Sequence, residues 1–352
     1  MLRTRNFIKE IDTTALQHNL HQVKKHAPQS KIIAMVKSQA YGHGGLIAAK
    51  ALSEVNAFGV AYIEEALELR RANITKPIIL MSSHLTQEQL FLANRENLQW
   101  VIHHSWQIDL LKSTHLKNPL SVWLKINTGM NRLGFSEHDA LPAWQALQSS
   151  SSIIKPIGLM THFSCADDIQ NKTTSLQYST FQNITQGWPG ERSLANSAGI
   201  LAWPRSHADW VRPGLMLYGI SPFPEKTGAE LGLMPVMRIK APILAIYDLK
   251  AGEKIGYGQT YTCPHKTRLG VIGIGYGDGY PRQAPTGTPI WIKGRILPLI
   301  GRVSMDMITL DLTSAPEIKV GEEALLWGPE LPVEIISQKT GMSPYQLVCA
   351  FK

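Results

Sequence analysis

A lysine at position 37 is the residue of this chain whose type and surroundings first suggest chemistry. It follows the apolar run Ile32–Val36 and precedes a Tyr-Gly-His-Gly-Gly turn at residues 41–45. The end of a strand holds a side chain in one place, and a buried lysine can become a nucleophile that forms a Schiff base with a carbonyl. The glycines permit close approach of a ligand, and the N-terminus of the helix expected from about Leu46 favours an anion such as phosphate. The same lysine could instead make a buried ion pair, so the rest of the chain has to decide.

The elements that would position this lysine form a repeating pattern. Over roughly the first 220 residues, short apolar runs alternate with amphipathic, helix-like stretches such as Glu64–Arg71. The strand candidates are Ile32–Lys37, Ala57–Tyr62, Pro77–Met81, Gln99–His103, Ser121–Ile126, Lys155–His162, Ser193–Asn196 and Asp209–Arg212. Eight strand–helix repeats predict an α/β fold, a (β/α)₈ TIM-like barrel.

Polar residues stand where several of these strands end, which is the face that carries the active site in such barrels. They are Lys37, Lys125, His162, Asn196 with Ser197, and Arg212 with Gly214. Residues far apart in the sequence are therefore expected to meet on one rim.

The second part of the chain has a different texture. After about Pro222, short strand-like segments are separated by turns rich in Gly and Pro, which predicts a mainly β C-terminal domain. The segments are Val236–Ile246, Arg268–Ile274, Ile290–Ile292, Leu297–Ile300 and Met307–Leu312. We predict a barrel domain at residues 1–225 and a mainly β domain at residues 226–352.

Composition excludes several classes of function. The chain has 352 residues, of which 44% are hydrophobic, and no apolar stretch is long enough to cross a bilayer. Three widely separated cysteines, Cys165, Cys263 and Cys349, argue against a disulfide framework and against a cysteine-based metal site. The N-terminal segment Met1–Glu10 lacks the apolar core of a signal peptide, so we expect a cytoplasmic protein. We also expect no bound metal and no contact with a membrane.

The formal charge of +8 does not by itself indicate nucleic-acid binding. Lysines and arginines are scattered, with nothing beyond short pairs such as Lys24–Lys25 and Arg70–Arg71. We therefore expect no nucleic-acid partner. A basic balance fits an anionic small molecule at least as well.

Seven motifs, taken in order, resemble those of bacterial alanine racemases. They are Val36-Lys37 with Ala40–Gly44, then Thr128–Gly134, Met160–Phe163, Ala195–Ala198, Val211–Gly214, Gly275–Arg282 and Gly301–Asp306. The match runs through both predicted domains. Departures are few: Ser38-Gln39 stands where the family commonly has Ala-Asn, Asn131 replaces a frequent Gly, and Ser304 replaces a frequent Cys.

The resemblance implies pyridoxal 5′-phosphate (PLP) as cofactor, held by Lys37 through a Schiff base. The residues that it implies around the cofactor are Lys37, Tyr41, His162, Asn196, Ser197, Arg212, Gly214 and Leu215. Tyr41, Ser197 and the N–H groups around Gly214 and Leu215 resemble the phosphate binders. Arg212 resembles the residue at the pyridine nitrogen; an arginine only donates, so it would leave that nitrogen unprotonated and would suppress transamination.

The same resemblance implies two catalytic bases, Lys37 and Tyr276, on opposite faces of the substrate. Arg132 and the N–H of Met305 resemble the groups that bind the substrate carboxylate, and Lys125 resembles a lysine that some members carry as a carbamate. In the family, the residues matching Tyr276 and Met305 come from the neighbouring subunit. A homodimer that interconverts L- and D-alanine for cell-wall peptides is thus implied.

Other functions stay open at this point. A PLP-dependent amino-acid decarboxylase or a broad-specificity racemase would keep the fold, and a non-catalytic PLP-binding protein usually lacks a β domain. A Schiff-base barrel enzyme without PLP, such as an aldolase, is a further alternative.

Overall fold

The computed structural model describes residues 6–351. Residues 1–5, which include the start of the segment examined for a signal peptide, and residue 352 lie outside the described residues. The described chain begins with strand β1 (Ile8–Ile11) and helix α1 (Thr13–His26). Asp12 caps α1 by accepting the N–H groups of Thr14 and Ala15 at 2.9 and 3.0 Å, and the helix ends in basic residues, which suits its dipole.

Eight parallel strands, hydrogen-bonded in chain order, close into a barrel. They are β2 (Lys31–Met35), β3 (Ala57–Val60), β4 (Ile78–Leu80), β5 (Leu98–Ile102), β6 (Val122–Lys125), β7 (Gly158–Met160), β8 (Arg192–Ser193) and β9 (Trp210–Val211). Each predicted strand overlaps one of them, and pairing of Lys31 with Trp210 and of Ile32 with Val211 closes the ring. The predicted TIM-like barrel is confirmed.

Helices cover the outside of the barrel. They are α3 (Gly45–Ala51), α4 (Ile63–Arg71), α5 (Gln87–Arg95), α6 (Ser105–Ser113), α7 (Glu137–Ser149), α8 (Thr173–Ile184) and α9 (Ser197–Ala202), whereas the short turn α2 (Lys37–Tyr41) follows the end of β2. Strands covered on both faces have no polar side, as in β4, where Ile78, Ile79 and Leu80 are all fully buried. This is why the barrel strands are continuous apolar runs in the sequence.

The C-terminal part is mainly β, as predicted, with a seven-stranded antiparallel sheet, which also includes β1, and a separate two-stranded sheet. Its elements are β10 (Met237–Leu249), the hairpin β11 (Lys254–Ile255) and β12 (Tyr261–Thr262), β13 (Thr267–Ile272), β14 (Pro289–Ile292), β15 (Arg295–Pro298), β16 (Ile308–Asp311), β17 (Glu323–Trp327), α10 (Val333–Thr340) and α11 (Pro344–Cys349). The strand order is β15-β14-β17-β10-β13-β16. Strand β17 was not among the predicted segments.

The N-terminal strand β1 belongs to this seven-stranded sheet. It pairs antiparallel with β10, with Ile8 opposite Lys240 and Ile11 opposite Met237. Lys9, on β1, donates from Nζ to the carbonyls of Gly42 and Phe351 at 2.9 and 2.8 Å. The start of the chain thus joins the sheet to the turn that follows Lys37, while the domain boundary at residues 225–226 stays a prediction.

Candidate active site

A cavity of about 520 Å³ lies at the carboxyl ends of the barrel strands. Its lining consists of Met35, Lys37, Ser38, Tyr41, Met81, Ser82, Lys125, Arg132, Leu133, His162, Asn196, Ser197, Arg212, Gly214, Tyr345 and Cys349. Nine of the residues singled out from the sequence are therefore brought together, as expected for a barrel of this type. Leu215, buried, follows the last of them directly.

The sequence suggested that Lys37 ends its strand, and this prediction is wrong. Strand β2 ends at Met35, and Lys37 opens the short turn α2, in which Ser38, Gln39, Ala40 and Tyr41 all have φ of 53–54°. This is the left-handed region, which costs a residue with a side chain roughly 1–2 kcal/mol. Four such residues in succession require contacts that hold them, and conformations of this kind concentrate at functional sites.

The Tyr41 and Ser197 side chains and the backbone at Gly214 come together in the lining of the cavity. Ser197 Oγ accepts the N–H groups of Gly214 and Met216 at 2.9 and 3.3 Å. A Cβ on Gly214 would lie 2.7 Å from the Tyr41 hydroxyl oxygen, so only glycine lets that hydroxyl lie against the backbone here. Burial raises the pKa of Tyr41 above its ordinary value, so the phenol stays protonated and can donate.

Asn196 has a structural contact of its own. Its Oδ1 caps α9 by accepting the N–H of Gly199 at 2.9 Å, so the side chain orients the turn that presents Ser197. The predicted role of Asn196 in cofactor binding stays a prediction.

Arg212 is 3% exposed and is held at one position by four acceptors. Its guanidinium donates to Ser193 Oγ at 2.7 Å and to the carbonyls of Thr161 and Leu194 at 2.5 and 3.2 Å. It also contacts His162 Nδ1 at 3.3 Å. Burial lowers the pKa of Arg212 to about 10, so the group remains charged at neutral pH.

His162 is therefore neutral and has a defined tautomer. Burial, and then the nearby Arg212 charge, hold its pKa well below the ordinary value. Since a guanidinium only donates, Nδ1 is the acceptor and the proton resides on Nε2.

In both lysines of the cavity the charged ammonium form is destabilised, so the pKa is lowered. Lys125 is 8% exposed, and burial together with the charges of Arg212, Arg132 and Lys37 lowers its pKa to about 7. Burial, followed by the Arg132 charge, also lowers the pKa of Lys37. Among the described residues that line the cavity, none is Asp or Glu. The site therefore carries excess positive charge, which anionic groups of a ligand can neutralise.

Tyr345, in α11, is a cavity residue that the sequence did not single out for chemistry. Its ring centroid lies 5.8 Å from that of Tyr41. A Cβ on Gly42 would lie 2.1 Å from the Val348 carbonyl oxygen, so α11 packs directly on the glycine turn. In the sequence, Ser343 and Pro344 indicate the start of a helix, but nothing next to Tyr345 indicates a functional site.

Tyr276 and Met305 do not line this cavity. They lie side by side in the C-terminal part, where the N–H of Tyr276 donates to the Ser304 carbonyl at 3.0 Å and that of Gly277 to the Met305 carbonyl at 2.8 Å. Their side chains are 39% and 55% exposed. The two residues are thus held as one unit that faces outward within this chain.

Two further observations limit the chemistry. Within residues 6–351, no three or more His, Cys, Asp or Glu side chains are grouped so as to hold a metal ion. Over the same residues, no helix combines the length and the apolar character needed to cross a membrane.

Comparison with known proteins identifies the family. The family models for the alanine racemase N-terminal domain and C-terminal domain match residues 11–222 and 236–352. An alanine racemase of Aeromonas hydrophila subsp. hydrophila is 49% identical over 342 residues, which cover 97% of this chain and 96% of that protein. One from Coxiella burnetii is 51% identical over 345 residues, which cover 96% of this chain and 94% of that protein.

Solved structures agree with the sequence relatives. The biosynthetic alanine racemase from Pseudomonas aeruginosa superposes with a TM-score of 0.96 at 37% identity, over 99% of this chain and 98% of that one. Alanine racemase from Acinetobacter baumannii gives a TM-score of 0.93, also at 37% identity, over 99% and 98% of the two chains. With both of its domains matched and the strand-end residues gathered in one cavity, the chain belongs to the alanine racemase family of isomerases.

Proposed function

We propose that this protein interconverts L- and D-alanine with PLP bound in the cavity, and that Lys37 and Tyr276 exchange protons with the substrate on its opposite faces. The observation that carries the proposal is the joint position of Lys37, Arg132, His162, Ser197 and Arg212 in one cavity. Each of these five residues follows a different strand of the barrel.

The donors in this cavity fit PLP. Its phosphate matches the part of the lining formed by Tyr41, Ser197 and the backbone at Gly214, where a Cβ would intrude on the Tyr41 hydroxyl. The cationic lining without carboxylates matches the phosphate and the substrate carboxylate. When bound, PLP supplies a carbonyl for Schiff-base formation and a conjugated ring that stabilises negative charge at the substrate Cα.

Lys37 is suited to accept a proton because burial and the Arg132 charge lower its pKa, which favours the neutral amine with its free lone pair. Arg212 stays charged and only donates hydrogen bonds, so it would leave the pyridine nitrogen of bound PLP unprotonated. Arg132 offers a planar pair of donors to a carboxylate.

Lys125 is proposed to carry a carbamate that positions Arg132. A buried amine with a pKa of about 7 is largely neutral at slightly alkaline pH and can attack carbon dioxide. The carbamate anion would then offset part of the charge of Arg212, Arg132 and Lys37, the three cations that lower the pKa of Lys125.

The outward-facing pair Tyr276 and Met305 is proposed to complete the cavity of a second copy. Racemisation through a planar carbon needs a proton donor on each face, and the single-chain cavity contains Lys37 without Tyr276. A homodimer supplies Tyr276 in trans and covers side chains that are otherwise exposed. The proposed setting is the cytoplasm, where D-alanine would serve peptidoglycan synthesis. Within residues 6–351 no cysteine is part of a disulfide, which fits this setting.

Incubation of the purified protein and PLP with L-alanine in deuterium oxide tests the proposal. We expect D-alanine in the products, with deuterium at Cα in both enantiomers, as measured by chiral chromatography and mass spectrometry. Recovery of L-alanine without D-alanine would exclude racemisation, and release of carbon dioxide would indicate decarboxylation instead.

A mixture of two inactive variants tests the shared site. Lys37→Ala and Tyr276→Phe dimers each lack one base at every site. After exchange of subunits, a mixed dimer has one site with both bases, so random mixing should restore about a quarter of the wild-type turnover, since half of the dimers are mixed and each has one complete site. No recovery, with mixed dimers verified by mass spectrometry, would show that Tyr276 does not act across the interface.

A further inference from the structure

The turn that carries Lys37 is contacted from behind by two acidic residues of α4. We propose that Glu65 and Glu68 are positioning residues for Lys37, which clamp the left-handed turn Ser38–Tyr41 so that its two ends face the cavity; this rests on the proposed function of Lys37. Neither carboxylate lines the cavity, so both would position Lys37 through the turn; the Glu65 charge in addition raises the pKa of Lys37, against the larger effects of burial and Arg132.

Glu65 uses both carboxylate oxygens as acceptors. Oε1 accepts the N–H of Ser38 at 2.5 Å, and Oε2 accepts the N–H groups of Ala61 and Tyr62 at 2.8 and 3.2 Å. Hydrogen bonds to an ionised acceptor are the strong ones. Glu65 thus fastens the first left-handed residue after Lys37 to the end of β3, a rigid part of the barrel.

Glu68 acts through Gln39. The Gln39 side chain donates from Nε2 to Glu68 Oε2 at 2.8 Å, and its Oε1 accepts the N–H of Gly45 at 3.1 Å. The turn is therefore connected both to α4 and to the first residue of α3. Removal of the Gln39 side chain would therefore break both connections at once.

The clamp matters because the turn separates two residues of the cavity. Lys37 precedes the left-handed segment and Tyr41 ends it. A residue with a side chain prefers the right-handed region, and a change of Ser38 to that region would redirect the chain between Lys37 and Tyr41. The hydrogen bond from the Ser38 N–H to Glu65 opposes this change directly.

The test uses Glu65→Gln in the full-length protein, with Glu64→Gln as the matched control, because Glu64 is exposed on the same helical turn. A glutamine has one oxygen and cannot accept on both sides. We expect amide hydrogen exchange of residues 38–44 in the PLP-free protein to accelerate about 5- to 100-fold, as for loss of one hydrogen bond to a charged group. The rate of Schiff-base formation with added PLP and kcat for alanine should fall together, while the Glu64→Gln values stay within about twofold of wild type.

Rescue by glycine separates a clamp from a general loss of stability. Glycine occupies the left-handed region without penalty, so Ser38→Gly added to Glu65→Gln should restore kcat at least about threefold. No rescue, together with unchanged exchange at residues 38–44 in Glu65→Gln, would overturn the proposal.

A second variant covers the case in which Glu65→Gln does not fold. Gln39→Ala leaves Glu65 and its three N–H donors in place and removes only the connection from Glu68 to Gly45. It should accelerate exchange at residues 38–45 and lower kcat, and wild-type exchange with wild-type kcat would refute the role of Glu68. If the wild-type protein itself does not racemise alanine, the proposed function fails, whereas the exchange data still judge the clamp.

Discussion

Replacement of Gly214 by alanine gives the most direct test of the site geometry. An added Cβ would lie 2.7 Å from the Tyr41 hydroxyl oxygen and 3.3 Å from Cζ. Ordinary contact begins at 3.4 Å, so the hydroxyl has to withdraw by 3.4 − 2.7 = 0.7 Å. The ring cannot move freely, because Tyr218 and Tyr345 pack against it with ring centroids 5.1 and 5.8 Å away.

Overpacking of this kind costs about 1–3 kcal/mol. We expect the loss in two measurements: the free energy of unfolding of the PLP-free protein in urea, and the dissociation constant of PLP, which should rise about 5- to 150-fold if the hydroxyl is displaced from the phosphate. The backbone of Gly214 also has to accept a side chain, and this cost must be separated from the collision with Tyr41.

A double-mutant cycle makes the separation. In the Tyr41→Phe background the hydroxyl is gone, while the backbone cost of Gly214→Ala remains. Gly214→Ala should therefore destabilise the PLP-free protein by at least about 1 kcal/mol less in that background than in the wild type. Equal costs in the two backgrounds, within about 0.3 kcal/mol, would refute the claim that glycine is required for the close approach of the Tyr41 hydroxyl.

Four other predictions concern residues of the proposed site. Arg212→Lys keeps the charge but cannot reach all four acceptors, so unfolding in urea should show a loss of about 2–4 kcal/mol, and a change below about 0.5 kcal/mol would contradict the described contacts. Tyr276→Phe should retain the absorbance of bound PLP and abolish most turnover in both directions; unchanged turnover would remove Tyr276 as a base. Lys125, with a pKa of about 7, should react with cyanate half-maximally near that pH in the PLP-free protein, as followed by peptide mass spectrometry with exposed Lys50 as internal reference; a rise only above pH 9 would be inconsistent with its burial. Because the unfolded chain keeps a proton on Lys125 up to about pH 10.5 and the folded chain loses it near pH 7, the unfolding free energy should rise with pH across that window, and Lys125→Met should remove this part of the slope.

The sequence was sufficient for the barrel because its strands are covered on both faces. A run such as Ile78–Leu80 can only be buried, and eight such runs in alternation with helices leave few alternative folds. The residues at the strand ends, including His162 and Arg212, followed from the same pattern. Once the strands are correctly assigned, the barrel topology determines which residues meet at the carboxyl ends of the strands.

What the sequence could not supply depends on contacts between distant segments. The left-handed turn after Lys37 contains four residues that each disfavour that conformation, and Glu65 and Glu68 contact it from α4. In the sequence, both glutamates belong to an amphipathic stretch that is typical of a solvated helix face. Tyr345 enters the cavity for a similar reason, since α11 packs on a glycine more than 300 residues earlier, as 348 − 42 = 306.

The contacts of Lys9 have a consequence for the order in which the protein can mature during synthesis. The N-terminal part of a chain emerges first, and the barrel residues can begin to assemble while the C-terminal sheet is still being made. Strand β1, however, has to wait for β10, and the ammonium of Lys9 reaches the carbonyl of Phe351 across 342 positions. Because the same ammonium also binds the carbonyl of Gly42, it connects the turn that follows Lys37 to the backbone at residue 351. A nascent chain that has not yet reached residue 351 would lack this connection, so the turn would be held less firmly until that residue is in place.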